Sequence, residues 1–216
     1  WFASLPFEYP DKAIIELNRA VERGAVGVMA TASINGKHLI DPLFEPVWAE
    51  INKLALPVLI HPTAPFGSKE AEFGIERILM PGAGFMFDTT IGIARMAVDG
   101  FFERFQDLKI IASHGGGYIP YVNGRIDMFF KVETLNKMKI DKLPSEYFSQ
   151  IYYDAILYDP GALALCIDIA GPEKVLFGTD FPMPCDVPKL YNMIETRPAD
   201  EIKAIKGGNA IKLFGF

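Results

Sequence analysis

The chain has 216 residues, half of them hydrophobic, with a charged fraction of 22% and a formal net charge of −6. That is the composition of an ordinary globular protein with one domain, residues 1–216, and the acidic balance argues against nucleic acid or an anionic membrane as a partner. No apolar run reaches the roughly 20 residues that a membrane span needs, and Cys166 and Cys185 lie outside any C-x-x-C pattern, so we expect reduced thiols in a cytoplasmic protein.

WFASLP reads as a first strand, stopped by Pro6 and Pro10. From Asp11 to Arg23 the residues Ile14, Leu17 and Val21 recur at helical spacing, and Gly24 marks a stop. AVGVMA is a second strand, followed by the polar loop TASINGKHLID with Asn35-Gly36 as its turn signal. Leu43, Val47, Ile51 and Leu54 share one face of a helix from about Pro42 to Leu54. LPVLIHP is the third strand and ends on His61. The glycine-rich stretch from Thr63 to Thr90, with Phe66, Phe73, Phe85 and Phe87, is too long for a plain connection and reads as a lid or binding loop. Ile93, Ala97 and Phe101 mark a helix before the strand Lys109 to His114, and Tyr118 to Lys131 is helical. YFSQIYYDA supplies a fifth strand, ending near Asp154. Asp159-Pro160 is an N-cap and first-turn pair for a helix that packs Leu163 and Ile167. KVLFGTD is the sixth strand, ending on Asp180, and two short helices near Asp200 to Ile205 and Asn209 to Phe214 finish the chain.

Strands alternating with helices imply βα units and a parallel sheet, either a closed barrel or an open doubly wound sheet. The dinucleotide-binding form of the open sheet carries G-x-G-x-x-G after an early strand, and this sequence has none. A (β/α)₈ barrel of the TIM type is therefore expected, although such a barrel has eight strands and six are visible. The abrupt opening on Trp1 leads us to expect further N-terminal sequence in the natural chain, carrying the first one or two βα units.

The stretch Lys109 to Asp127, KIIASHGGGYIPYVNGRID, organises the reading. An apolar strand that turns polar at its end, just before a glycine-rich turn, is how α/β barrels bring chemistry to their C-terminal mouth. Taken alone, HGGG fits a core histidine beside a flexible loop equally well. His61, His114 and Asp180 each stand at a strand end, and in a barrel those ends converge. Two imidazoles and a carboxylate suit a divalent ion such as zinc, manganese or iron, which acidifies bound water or polarises a substrate oxygen. His38, the remaining histidine, is expected to be exposed in its polar loop.

The His-Pro at one strand end, H-G-G-G-x-x-P-Y-x-x-x-R at the next and G-T-D-x-P at the last resemble the amidohydrolase superfamily. More narrowly they resemble its aminocarboxymuconate-semialdehyde decarboxylase-like branch, which also holds γ-resorcylate and 5-carboxyvanillate decarboxylases. N-G-x-x-L-x-D-P at Asn35 to Pro42, F-x-R-F-x-x-L-K-I at Phe102 to Ile110 and G-N-A-x-x-L-F-G at Gly208 to Gly215 add to the likeness, which runs from Leu5 to the last residue. The resemblance implies a barrel with one catalytic divalent metal and no organic cofactor; zinc is expected first because imidazole ligands suit it, with manganese or magnesium as alternatives. It implies His61 and Asp180 as metal ligands and His114 as an acid/base beside them. It also implies an H-x-H ligand pair on a first strand, which this sequence does not contain.

By the same resemblance Arg125 can reach a neighbouring subunit's site and hold a substrate carboxylate bidentately, which implies a homodimer or higher homo-oligomer. A surface arginine paired with Asp127 or Glu103 is the structural alternative. Phe85, Phe87 and Phe181 are candidates to pack against an aromatic or diene substrate, or else are ordinary core. The expected activity is decarboxylation of an aromatic or unsaturated small-molecule carboxylic acid, with Asp180 or His114 shuttling a proton. Two rivals remain: a hydrolase or hydratase of a lactone, amide or enol acid using the same site, and a catalytically silent barrel fragment.

Overall fold

A computed structural model of the chain describes residues 1–69, 71–72, 78–132, 140–183 and 185–216. Phe73, assigned above to the lid, lies outside the described residues. In chain order the elements are β1 (Phe2–Ser4), α1 (Pro10–Glu22), β2 (Gly27–Thr31), β3 (Ser33–Ile34), β4 (Lys37–His38), α2 (Glu45–Lys53), β5 (Pro57–His61), α3 (Phe85–Val98), α4 (Phe101–Arg104), β6 (Lys109–Ala112), α5 (Ile119–Phe130), α6 (Pro144–Phe148), β7 (Tyr152–Asp154), α7 (Pro160–Ala170), β8 (Val175–Leu176), α8 (Val187–Ile194), α9 (Ala199–Lys203) and α10 (Asn209–Phe214). No helix among the described residues is long and apolar enough to cross a membrane.

Six strands form one parallel sheet in the order β1-β2-β5-β6-β7-β8. Each new strand is laid beside the last, with no reversal of order. A doubly wound sheet has a switch point where the order reverses, whereas a βα barrel winds one way throughout. The observed order is that of the barrel.

The pairing register explains why the two faces differ. Val28, Val58 and Ile110 stand in one row, as do Ala30, Ile60 and Ala112. Both rows are buried in the main core with Leu17, Val47, Ile51, Ile93 and Met96 from the helices. Because side chains alternate along a strand, Met29, Leu59 and Ile111 point the other way and form the inner row. Ile111 and Leu176 pack there with Leu59, Phe2 and the α10 residues Leu213 and Phe214. The last helix thus supports the inner face.

Local chemistry sets the helix starts. Asp159 Oδ1 accepts from Ala162 N at 3.0 Å and Asp186 Oδ1 from Lys189 N at 3.0 Å, with proline in the first turn in both cases, an N-cap arrangement. The loop after β2 folds into the β3–β4 hairpin. Its turn residues Asn35 (φ 45°) and Gly36 (φ 77°) both take positive φ, as a two-residue primed turn requires.

Several expectations are corrected. Tyr147 and Phe148 belong to α6, so the fifth strand is only Tyr152–Asp154; Pro144 in the first turn and Glu146 bonding back to the Leu143 amide start a helix there instead. The sixth strand is confined to Val175–Leu176. The stretch expected as a lid is helical from Met80 onward, running through a π-type turn into α3. Leu43 is 39% exposed and Phe44 takes the buried position, because Pro42–Phe44 is a 3₁₀ turn capped by Asp41 that shifts the helical phase.

Phe7, Phe44, Trp48, Phe101 and Phe105 form an aromatic cluster in the main core. Trp48 lies 5.2 Å from Phe7 and 5.3 Å from Phe101 between ring centroids, and its indole N–H donates to Leu39 O at 2.8 Å. Phe101 is 1% exposed and touches Trp48 and Phe105. Replacing Phe101 by alanine should lower unfolding free energy by about 3–5 kcal/mol, read as a shifted midpoint in urea titration.

Candidate metal centre

The inner row carries the site. His61 follows Leu59 by two residues on β5 and so shares its face. Its backbone is tied to the neighbouring strand, since Ala32 N–H donates to His61 O at 2.8 Å. His114 comes two residues after β6 ends, and Asp180 lies four residues beyond β8. Both take left-handed backbone conformations, φ 53° for His114 and φ 58° for Asp180. For a residue other than glycine this is uncommon and typical of strained functional turns.

The three side chains meet. His61 Nε2 is 3.3 Å from Asp180 Oδ1, and His114 Nε2 is 3.4 Å from Asp180 Oδ2. The two rings are 5.4 Å apart at 62°. The candidate donor atoms all lie within 4.8 Å of one another. His61 Nδ1 is 3.0 Å from Pro62 O; a proton donated there leaves the Nε2 lone pair free, the usual way a metal-binding imidazole is oriented.

The turn after β6 is shaped for this placement. Gly115, Gly116 and Gly117 have φ of 59°, 74° and 64°. A Cβ on Gly116 would stand 2.6 Å from Tyr153 Cε1, and one on Gly117 2.7 Å from Thr90 Oγ1. One on Gly115 would run into the Leu157 side chain. Thr90 Oγ1 also accepts from Tyr118 N at 2.7 Å while donating to Met86 O at 2.7 Å, which ties the start of α5 to α3.

Two buried acids flank the site. Asp154, the last residue of β7, is 7% exposed, and its Oδ1 accepts from Gly115 N at 3.0 Å and Ile156 N at 3.1 Å. Burial pushes its carboxyl above the ordinary aspartate range, while the His114 charge and the neighbouring amides pull the other way. Asp88 on α3 accepts from Thr63 N at 2.8 Å, just past His61-Pro62, and burial raises its carboxyl too, against that hydrogen bond. Neither acid was singled out from the sequence as a site residue. For Asp154 the signal was present, since it stands at a strand end as His61 and His114 do.

His61, His114, Asp154 and Asp180 line a cavity of about 570 Å³ together with Phe181 and Met183. Phe181 is 85% exposed at its rim. Phe85 is half-buried at the start of α3 and Phe87 is exposed; neither lines this cavity. Arg125 lies on the exposed side of α5 with its guanidinium over the Phe129 ring at 4.9 Å. Neither acid expected as its partner takes it: Asp127 accepts from Ser145, and Glu103 from Tyr147 and Asp141. His38, expected to be exposed, is half-buried with its ring 4.8 Å from that of Phe66, because the β3–β4 hairpin folds it back. Burial lowers its imidazole pKa.

The donor set fits a divalent ion. The candidate ligand atoms lie within 4.8 Å of one another, close enough to share one ion, and Asp180 turns one oxygen toward each imidazole. Two imidazole nitrogens and a carboxylate suit zinc, manganese or iron.

A one-way-wound parallel sheet with such a cluster at its strand ends defines the metal-binding βα-barrel proteins. Within that class, the chain belongs to the amidohydrolase family, which it matches over residues 2–216. It is 31% identical to 2-amino-3-carboxymuconate-6-semialdehyde decarboxylase of Dictyostelium discoideum, over 98% of this chain and 60% of that protein. It therefore spans less than two thirds of that relative's length. Its fold is similar to that of 5-carboxyvanillate decarboxylase from Sphingomonas paucimobilis, with a TM-score of 0.89 at 29% identity over 100% of this chain and 66% of the other. A dihydroxybenzoic acid decarboxylase from Polaromonas sp. JS666, solved with bound manganese and the inhibitor 2-nitroresorcinol, gives a TM-score of 0.86 at 26% identity over 99% and 68% of the two chains.

Gly116→Ala should cost about 2–4 kcal/mol, combining the left-handed backbone penalty with the overlap on Tyr153. The loss is measurable as a lower midpoint in guanidinium unfolding followed by tryptophan fluorescence.

Proposed function

We propose that the protein carrying this chain is a metal-dependent decarboxylase of an aromatic or unsaturated carboxylic acid and uses no organic cofactor. The observation that carries this reading is the convergence of His61, His114 and Asp180 on one cavity in a chain whose relatives are named as decarboxylases. His61 and Asp180 hold the ion; zinc is our first choice from the imidazole ligands, with manganese, present in the Polaromonas enzyme, and magnesium as alternatives. The ion, when bound, acts as a Lewis acid toward an oxygen beside the substrate carboxylate.

The residues of this chain supply the proton and the shape. His114 Nε2, turned toward Asp180, delivers a proton to the carbon that bears the carboxylate, with Asp180 the other group able to carry it. The electron pair of the breaking carbon–carbon bond then returns to the ring or alkene, and carbon dioxide leaves. Phe181, standing at the rim, offers its face to the substrate ring.

We assign Arg125 to the site of a neighbouring subunit in a homodimer or larger homo-oligomer. Its guanidinium is exposed on α5 beside exposed Tyr121, Met128 and Phe129, a surface suited to self-association. Free Cys166 and Cys185 accord with a reducing cytoplasm.

Chelation should abolish carbon dioxide release from hydroxybenzoates or amino- and oxo-muconates, and zinc or manganese should restore it. Asp180→Asn should bring kcat to background; unchanged turnover in that variant would sink the assignment. Arg125→Ala should raise KM by about 10–100-fold, the worth of a hydrogen bond to a charged group, at unchanged metal content.

A further inference from the structure

Asp154 has no task in the reading above, yet it touches the turn that carries the proton donor. Its Oδ1 reaches from the end of β7 to the Gly115 amide, one residue past His114. The adjoining residues make the same contact surface: the Tyr153 ring lies against Gly116 and the Leu157 side chain against Gly115. The segment from Tyr153 to Leu157 is thus the mould for the His114 turn.

His114 needs such a mould. Its ring is not aimed as that of His61 is, through a hydrogen bond on the second nitrogen. His114 Nδ1 is buried and has no hydrogen-bond partner among the described residues. With Nδ1 unbonded, the ring is held by the His61 ring and Asp180 and by where the backbone places it, and that backbone sits at φ 53°, a conformation that persists only where surroundings over-determine it.

We propose that Asp154 is a positioning residue, whose grip on the Gly115 amide fixes the His114 turn and so aims His114 Nε2 at Asp180. The inference rests on the reading of His114 as proton carrier only for its catalytic consequence. The positioning itself is a property of the folded chain. What it requires at residue 154 is an acceptor oxygen of the right reach, so asparagine should serve and alanine should not.

The chain has three histidines, which makes imidazole NMR with ¹⁵N-labelled histidine direct. Asp154→Ala should displace or broaden the His114 ring signals and leave those of His38 in place, and Asp154→Asn, which loses the charge facing His114 but keeps the acceptor, should displace them less and without broadening. In turnover, Asp154→Ala should lose about 10–100-fold in kcat, as supporting residues around such sites do, with KM nearly unchanged, and Asp154→Asn should recover most of the loss. In the wild-type protein the Gly115 amide should be protected from hydrogen exchange, a measurement that needs no variant to fold. Unperturbed His114 signals in Asp154→Ala, equal displacement in both variants, or an unprotected Gly115 amide would each overturn the proposal. Ring signals that respond as described in a protein that decarboxylates nothing would retain the positioning role and reject the proposed activity.

Discussion

Between Ala112 and Ile119 the backbone must leave β6, reverse and enter α5 through a space bounded by the Tyr153 ring, the Leu157 side chain and Thr90. That steric constraint governs the rest of the site. It demands glycine at three successive positions, since each has positive φ and a Cβ at any of them would overlap a neighbour. It puts His114 at the head of the turn, where a left-handed backbone directs its ring to Asp180. It also brings the start of α5 under the Thr90 hydroxyl, so the same turn joins the third and fifth helices.

The parallel sheet divides stability from chemistry by its pleat. Residues of one parity on β2, β5 and β6 pack outward against the helices and are fully buried or nearly so, as Val58, Ile60 and Ile110 are. Those of the other parity face inward and change character along the strand, from Leu59 and Ile111 near α10 to His61 and Ser113 at the open end. Burial of the outer rows supplies the hydrophobic driving force, and the inner polar ends are left free to meet a ligand.

The electrostatics follow from that layout. Asp180 sits between two imidazoles at similar distances, and the charges of His114 and Asp154 attract one another from behind. Imidazole nitrogens turned toward a carboxylate make a concave donor set for a cation. The second acid, Asp154, is buried and spends its Oδ1 on two amides of the surrounding turns, so that oxygen supports the turn.

Much of this was legible in the chain itself. Apolar runs ending on His61, His114 and Asp180, separated by helical periodicity, determined the parallel α/β class and the identity of the cluster, because strand alternation and βα connections are local rules that a sequence carries openly. The Asn35-Gly36 turn and the Asp159 cap were equally local. Short elements were read less well: Tyr147 and Phe148 have strand-like chemistry, yet Pro144 and Glu146 start a helix there, and Leu43 yielded its buried place to Phe44 once a 3₁₀ turn shifted the phase. Only the tertiary structure decided that Asp154 grips the His114 turn, that His38 folds back on Phe66, and that Phe85 and Arg125 stand away from the cavity of their own chain. Those outcomes depend on which side chains meet across different strands and helices, and contacts between residues far apart in the chain arise only when the fold closes.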